Sequence, residues 1–126
     1  MKRSLSILPS VELQTSEFIA AACAAGTHEP YQAELEFDDF RVALIFQVIS
    51  PAPSHGIDSP QDGLTITDVF VPVQYRRRGW LVAYLRLCAG LVNGPIFIVG
   101  MHGPVRDALL RHGFRVLTDD VLVLGL

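Results

Sequence analysis

With 126 residues, half of them hydrophobic, the chain has apolar material for one sizeable core but too little length for two, so a single domain over 1–126 is expected. A formal net charge of -3 argues against a broadly basic surface, so nucleic acid is not an expected partner. No segment approaches the roughly 20 apolar residues that cross a bilayer, and no membrane association is expected.

Lys2 and Arg3 precede an apolar stretch over 5–8, but Pro9, Glu12, Gln14 and Glu17 interrupt it, which speaks against a signal peptide and for a cytoplasmic protein. Residues 4–8 read as a first strand. Residues 15–25 read as a helix capped by Thr15 and stopped by Gly26. Strands follow at 33–37 and 41–49, joined as a hairpin by Asp38-Asp39. Residues 50–63, with Pro51, Pro53, Pro60, Gly56 and Gly63, read as a flexible loop placed beside the ligand site.

Residues 64–71 are rich in strand formers, and Pro72 ends the ladder there. Residues 80–92 form an apolar helix with Arg86 its only charge, suited to packing on a sheet. Residues 95–101 read as a buried strand. Residues 104–112 read as a short helix with Val105, Ala108, Leu109 and His112 along one stripe, and Gly113 stops it. Residues 114–117 and 121–124 flank Thr118-Asp119-Asp120 as a final hairpin. Its apolar strand Val121-Leu122-Val123-Leu124 offers an edge to a second copy, from which a homodimer is expected. Cys23 and Cys88 both fall in predicted helices and read as buried thiols. His28, His55 and His112 show no ligand spacing, so no metal is expected.

The densest functional signal is Val69-Phe70-Val71-Pro72-Val73-Gln74-Tyr75-Arg76-Arg77-Arg78-Gly79-Trp80-Leu81, a strand that meets an arginine-glycine turn opening a helix. Helix N-termini expose unpaired N–H groups and the positive end of the dipole, so flanking arginines suit a pyrophosphate. An arginine run by itself is more often a solvated turn. Here it lies between a strand and a buried helix.

Arg76-Arg77-Arg78-Gly79 and, further on, Ala108-Leu109-Leu110-Arg111-His112-Gly113-Phe114 resemble two motifs of the GNAT superfamily of acyl-coenzyme A-dependent N-acyltransferases, at compatible spacing over about 64–116. The first matches an Arg or Gln, two free positions and a Gly, then departs at Leu81, where the family has a small residue. The other resembles the family's closing helix, which ends in Gly-Phe.

The resemblance implies an α/β (α+β) fold, GNAT-like, with a mixed, mostly antiparallel central sheet flanked by about three helices. It implies acetyl-coenzyme A as co-substrate, with backbone amides of 77–81 on the pyrophosphate. Arg76, Arg77, Arg78, Gly79, Trp80 and Leu81 then form the cofactor turn, and Val69 and Val71 pair with the pantetheine arm. The family's second helix has no counterpart among Thr27-His28-Glu29-Pro30-Tyr31, which leaves the amine acceptor, small molecule or protein, undefined.

Acyl transfer to an amine needs a base, an oxyanion donor and a proton for the departing thiolate. The strand positions where the family often has an acid hold Thr65 and Thr67, and the position of its thiol-protonating tyrosine holds Leu109. Asp68 and His102 remain as catalytic candidates. Asp68, between Ile66 and Phe70 at alternate positions, reads as a base raised by burial or as a carboxylate that fixes a strand end. His102 follows a strand and reads as a base or as the closure of a turn. Two functions stand side by side: an N-acyltransferase, and a catalytically degenerate binding or structural module on the same fold.

Overall fold

A computed structural model describes residues 10–26 and 29–125 of the chain. The first helix, α1, runs over Val11–Ala25, four residues longer at its start than the sequence suggests. Ser10 caps it, accepting a 3.0 Å hydrogen bond from the Leu13 amide, and Val11 is already in the core. Thr15, expected as the cap, is a buried residue inside the helix. The strand expected over 4–8 lies outside the described residues.

Two antiparallel strands follow, β1 over Tyr31–Phe37 and β2 over Phe40–Ile49. The Asp38-Asp39 turn that joins them holds both aspartates at positive φ, 52° and 70°, as a tight hairpin with right-handed twist requires. β3 covers Gln61–Phe70 and begins three residues before Leu64. Part of the expected loop is therefore strand. The remaining segment, 50–60, connects Ile49 to Gln61, at the opposite end of β3 from the arginine turn rather than beside it.

Helix α2 spans Trp80–Leu91, β4 Ile96–Val99, α3 Gly103–Arg111, β5 Arg115–Thr118 and β6 Val121–Leu124. Among the described residues, six strands form one sheet in the order β1-β2-β3-β4-β6-β5, in which only β3 and β4 are parallel. This is the mixed, mostly antiparallel sheet with three helices that the sequence predicts. Two readings of the chain's second half change. Strand β6 lies between β4 and β5, so it has no free edge for a second copy, and β5 forms the border instead. His112 and Val105 are exposed, so neither belongs to an apolar stripe of α3, which buries Leu109 fully.

One cluster holds the fold together. It joins Phe18, Ile19 and Ala22 of α1, Tyr84, Leu85 and Cys88 of α2 and Leu109 of α3 to inward-facing strand residues, among them Leu44, Leu64, Ile66, Ile96, Ile98 and Leu122. Each fully buried leucine or isoleucine contributes about 1.5–3 kcal/mol relative to exposure. Of the two cysteines expected to be buried, Cys88 is and Cys23 is exposed.

A buried polar contact crosses from α1 to α2. Thr15 Oγ1 donates to the Val11 carbonyl oxygen at 2.7 Å, which leaves its oxygen to accept from the Tyr84 hydroxyl, also at 2.7 Å. Gln14, equally buried, donates to the Glu36 carbonyl oxygen of β1 at 3.0 Å. Burial raises the Tyr84 hydroxyl far above its ordinary value and pushes the Cys88 thiol up to about 12.

Three outcomes test this packing. Thr15→Val strands the Tyr84 hydroxyl and should lower unfolding free energy by about 1–3 kcal/mol, measured by urea titration. Both raised groups ionise more readily once unfolded, so stability should hold below pH 9 and fall as pH climbs from there towards 12, seen as a dropping denaturation midpoint. A Cβ on Gly94 would overlap the Asp62 carbonyl oxygen, so Gly94→Ala should destabilise by about 3 kcal/mol or more in the same urea assay.

Candidate functional site

β3 and β4 pair over only three positions, Leu64↔Ile96, Thr65↔Phe97 and Ile66↔Ile98. Beyond them β3 continues for four residues while still bonded to β2, and β4 ends one residue later at Val99. Among the described residues no strand pairs with the β4-facing edge of 67–70. The two strands thus part at their C-terminal ends, where open α/β sheets receive ligands. The helix between them, α2, starts at this opening.

The chain enters α2 through Pro72, a single 3-10 turn over Val73–Tyr75 and then the arginines. Arg77 has φ 63° and Gly79 φ 79°, two left-handed residues with Arg78 between them. Such alternation tends to turn successive N–H groups to one side, and among the described residues no side chain caps α2. The amides at its first turn are therefore open to an anion, unlike those of α1. Among the described residues, its neighbours in the chain aside, nothing lies within 4 Å of where a Cβ at Gly79 would stand.

The three arginines are all exposed but differ in their partners. Arg76 Nε donates to the Val71 carbonyl oxygen at 2.7 Å, and its guanidinium lies 5.2 Å from the Phe70 ring centroid. Among the described residues no such partner holds Arg77 or Arg78. Trp80 turns inward, stacked on Tyr84 at 5.0 Å with rings 8° apart and 4.8 Å from Phe40, which in turn lies 5.2 Å from Tyr75. Its ring is thus part of the packing. Leu81 also packs against the core, as does the inner face of Val69, so the leucine side chain does not fill the space in front of the turn.

Asp68 sits just beyond the last β3–β4 pair, and His102, the N-cap residue of α3, sits just beyond the end of β4. The structure places them on the two sides of the opening. Both are exposed, so the burial invoked for Asp68 is absent. The cause is a bulge. Thr67 is an extra residue between the pairs Leu44↔Ile66 and Ala43↔Asp68, so the inward face passes from Ile66 to Val69 and Asp68 turns outward. Leu109 is fully buried in the core, and Tyr84, also buried, has its hydroxyl engaged by Thr15.

Beyond these residues, an open cleft of about 750 Å³ lies at the same end of the sheet, lined by Glu36, Asp38, Asp39, Arg41, Phe70 and Val73 among others. Arg41, which has no place in the expected site, meets Phe70 through the β2–β3 register and lies 4.9 Å from it as cation and ring. Their being large apolar and charged residues opposite each other near a turn was the available signal. Among the described residues no group of His, Cys, Asp or Glu is arranged to hold a metal ion, and no helix is long and apolar enough to cross a membrane, a statement that leaves β-barrels aside.

No family model and no curated protein matches the sequence. Among solved structures the chain is similar to the crystal structure of a KacT mutant, with a TM-score of 0.46 and 16% sequence identity over 90% of this chain and 81% of that one. Likeness at this level assigns no family. The resemblance to the GNAT superfamily drawn from 76–79 and 108–114, with its departures at Leu81 and Leu109, is corrected accordingly: without a matching family model it does not amount to membership. Among the described residues the architecture is a mixed, mostly antiparallel six-stranded sheet with three helices.

The conformation at Gly79 generates a prediction. Gly79→Val forces a β-branched residue to φ 79° and should cost about 1–2 kcal/mol, whereas Gly79→Asn, which tolerates the left-handed region, should cost less, both read from thermal unfolding.

Proposed function

We propose that the chain binds an acyl-coenzyme A thioester, acetyl-coenzyme A in the first instance, and transfers the acyl group directly to an amine. The observation that carries this reading is the uncapped start of α2, with Arg77 and Gly79 left-handed, placed next to the unpaired β3 edge of 67–70. A diphosphate suits the amides and the two unengaged guanidiniums. An extended arm with amide groups suits a strand edge, which it can join as an added strand. Coenzyme A has both parts, whereas a simple nucleotide has only the first.

In this reading the amides of residues 77–81 hold the pyrophosphate, with Arg77 and Arg78 adding charge, and Val69 and Val71 carry the pantetheine arm. The thioester then lies between Asp68 and His102. The acceptor nitrogen loses its proton to one of these or to water, attacks the carbonyl carbon, and the C–S bond breaks to release the coenzyme A thiolate, which takes a proton from solvent. A second reading, binding without turnover, draws on Leu109 in the core and on the exposure of Asp68.

Isothermal calorimetry with acetyl-coenzyme A tests the binding step. The wild-type chain should bind, Gly79→Val should lose at least tenfold in affinity, and Arg77→Ala should lose a few-fold. Unchanged affinity in the valine variant removes the site. With a panel of amines, turnover should rise with pH as the amine or its base loses a proton, and Asp68→Asn or His102→Ala should lower kcat by about 10²-fold or more with cofactor affinity retained if that residue is the base. Binding without transfer to any amine selects the second reading.

A further inference from the structure

Of three consecutive arginines, one is committed to the protein itself. We infer that Arg76 is a positioning residue, which fixes the turn through the Val71 carbonyl and a Phe70 ring shared with Arg41, and that it is not a phosphate ligand. The inference rests on the phosphate-binding reading of this turn.

The geometry closes a small loop. The 2.7 Å bond from Arg76 Nε to the Val71 carbonyl spans the five residues that link the end of β3 to the arginines. The same guanidinium lies over Phe70, whose ring also has Arg41 of β2 at 4.9 Å, so the loop is tied to two strands. Phe70 is 36% exposed, a large apolar surface that two guanidiniums cover in part.

Directly after this anchor the backbone turns left-handed at Arg77. A non-glycine residue keeps such a conformation only when the flanking structure imposes it. On one flank stands α2, fixed by Trp80 and Leu81 against the core; on the other stands Arg76. Lysine cannot replace it, because a compact ammonium does not lie flat on a ring while donating from a separate nitrogen.

Amide hydrogen exchange on the ligand-free chain, combined with coenzyme A calorimetry at several salt concentrations, tests the inference. The Tyr75 and Arg76 amides, bonded to the Pro72 and Val73 carbonyl oxygens, report the loop. Arg76→Lys and Phe70→Leu should each speed their exchange about tenfold, the size expected for losing a hydrogen bond and a cation–π contact, and weaken coenzyme A about as much. Phe70→Tyr should retain both properties. Because Arg76 does not meet phosphate, the salt dependence of binding should stay that of the wild type in Arg76→Ala, whereas Arg77→Ala should lower it and leave exchange unchanged.

Full protection and affinity in both Arg76→Lys and Phe70→Leu overturn the inference, as does a salt dependence lowered by Arg76→Ala as much as by Arg77→Ala. If the wild type does not bind coenzyme A at all, the acyl-transfer reading falls. The exchange rates still decide: faster exchange in Phe70→Leu upholds the anchoring of the turn, and unchanged exchange refutes it.

Discussion

Among the described residues β3 and β4 are the only parallel neighbours in the sheet, and each stays bonded to its outer partner after it has left the other. Past Ile66 the bulge at Thr67 shifts the register, and β3 stays paired with β2 as far as Phe70 opposite Arg41. Past Ile98, β4 keeps to β6, and the Gly100 amide donates to the Asp120 carbonyl oxygen at 2.9 Å. The gap between them follows from this divided allegiance. Because α2 connects the two strands, its first turn has to begin at the mouth of that gap, which puts amides, arginines and a bare strand edge within one small region.

Much of this was legible in the residues. Apolar runs bounded by Pro72, Gly79 and Gly113 gave α2, β3 and α3, because local chemistry decides where such elements begin and stop. Among the features that escaped, three did so for a non-local reason. The start of α1 depends on Val11 finding the core, which no local pattern states. Strand order depends on how the last hairpin docks, so the interior position of β6 was invisible. The outward turn of Asp68 depends on one inserted residue at Thr67, and a strict period of two, applied through a bulge, assigns every later side chain to the wrong face.

The arginine turn and the acidic hairpin share one end of the molecule. Glu36, Asp38 and Asp39 line the open cleft, while Arg76, Arg77 and Arg78 follow β3. With a net charge of -3, the chain as a whole repels a polyanion at long range, and the local positive field has to act within a screening length of about 8–10 Å. Arg41, lodged among the carboxylates and stacked on Phe70, stands between the two fields. A single cation thus lines the acidic cleft and shares the Phe70 ring with Arg76 of the basic turn.

The position of β6 bears on how the chain is made. β6 comes after both of its neighbours in sequence yet lies between them, with Ile96↔Leu124 and Val99↔Val121 on one side and Arg115↔Val123 on the other. During synthesis β4 therefore leaves the ribosome with an apolar edge that stays open until residues 121–124 follow. The interval favours β4 making wrong pairings, or being shielded by a chaperone, and loss of those four residues would leave the half-built sheet with a sticky border rather than a shorter one.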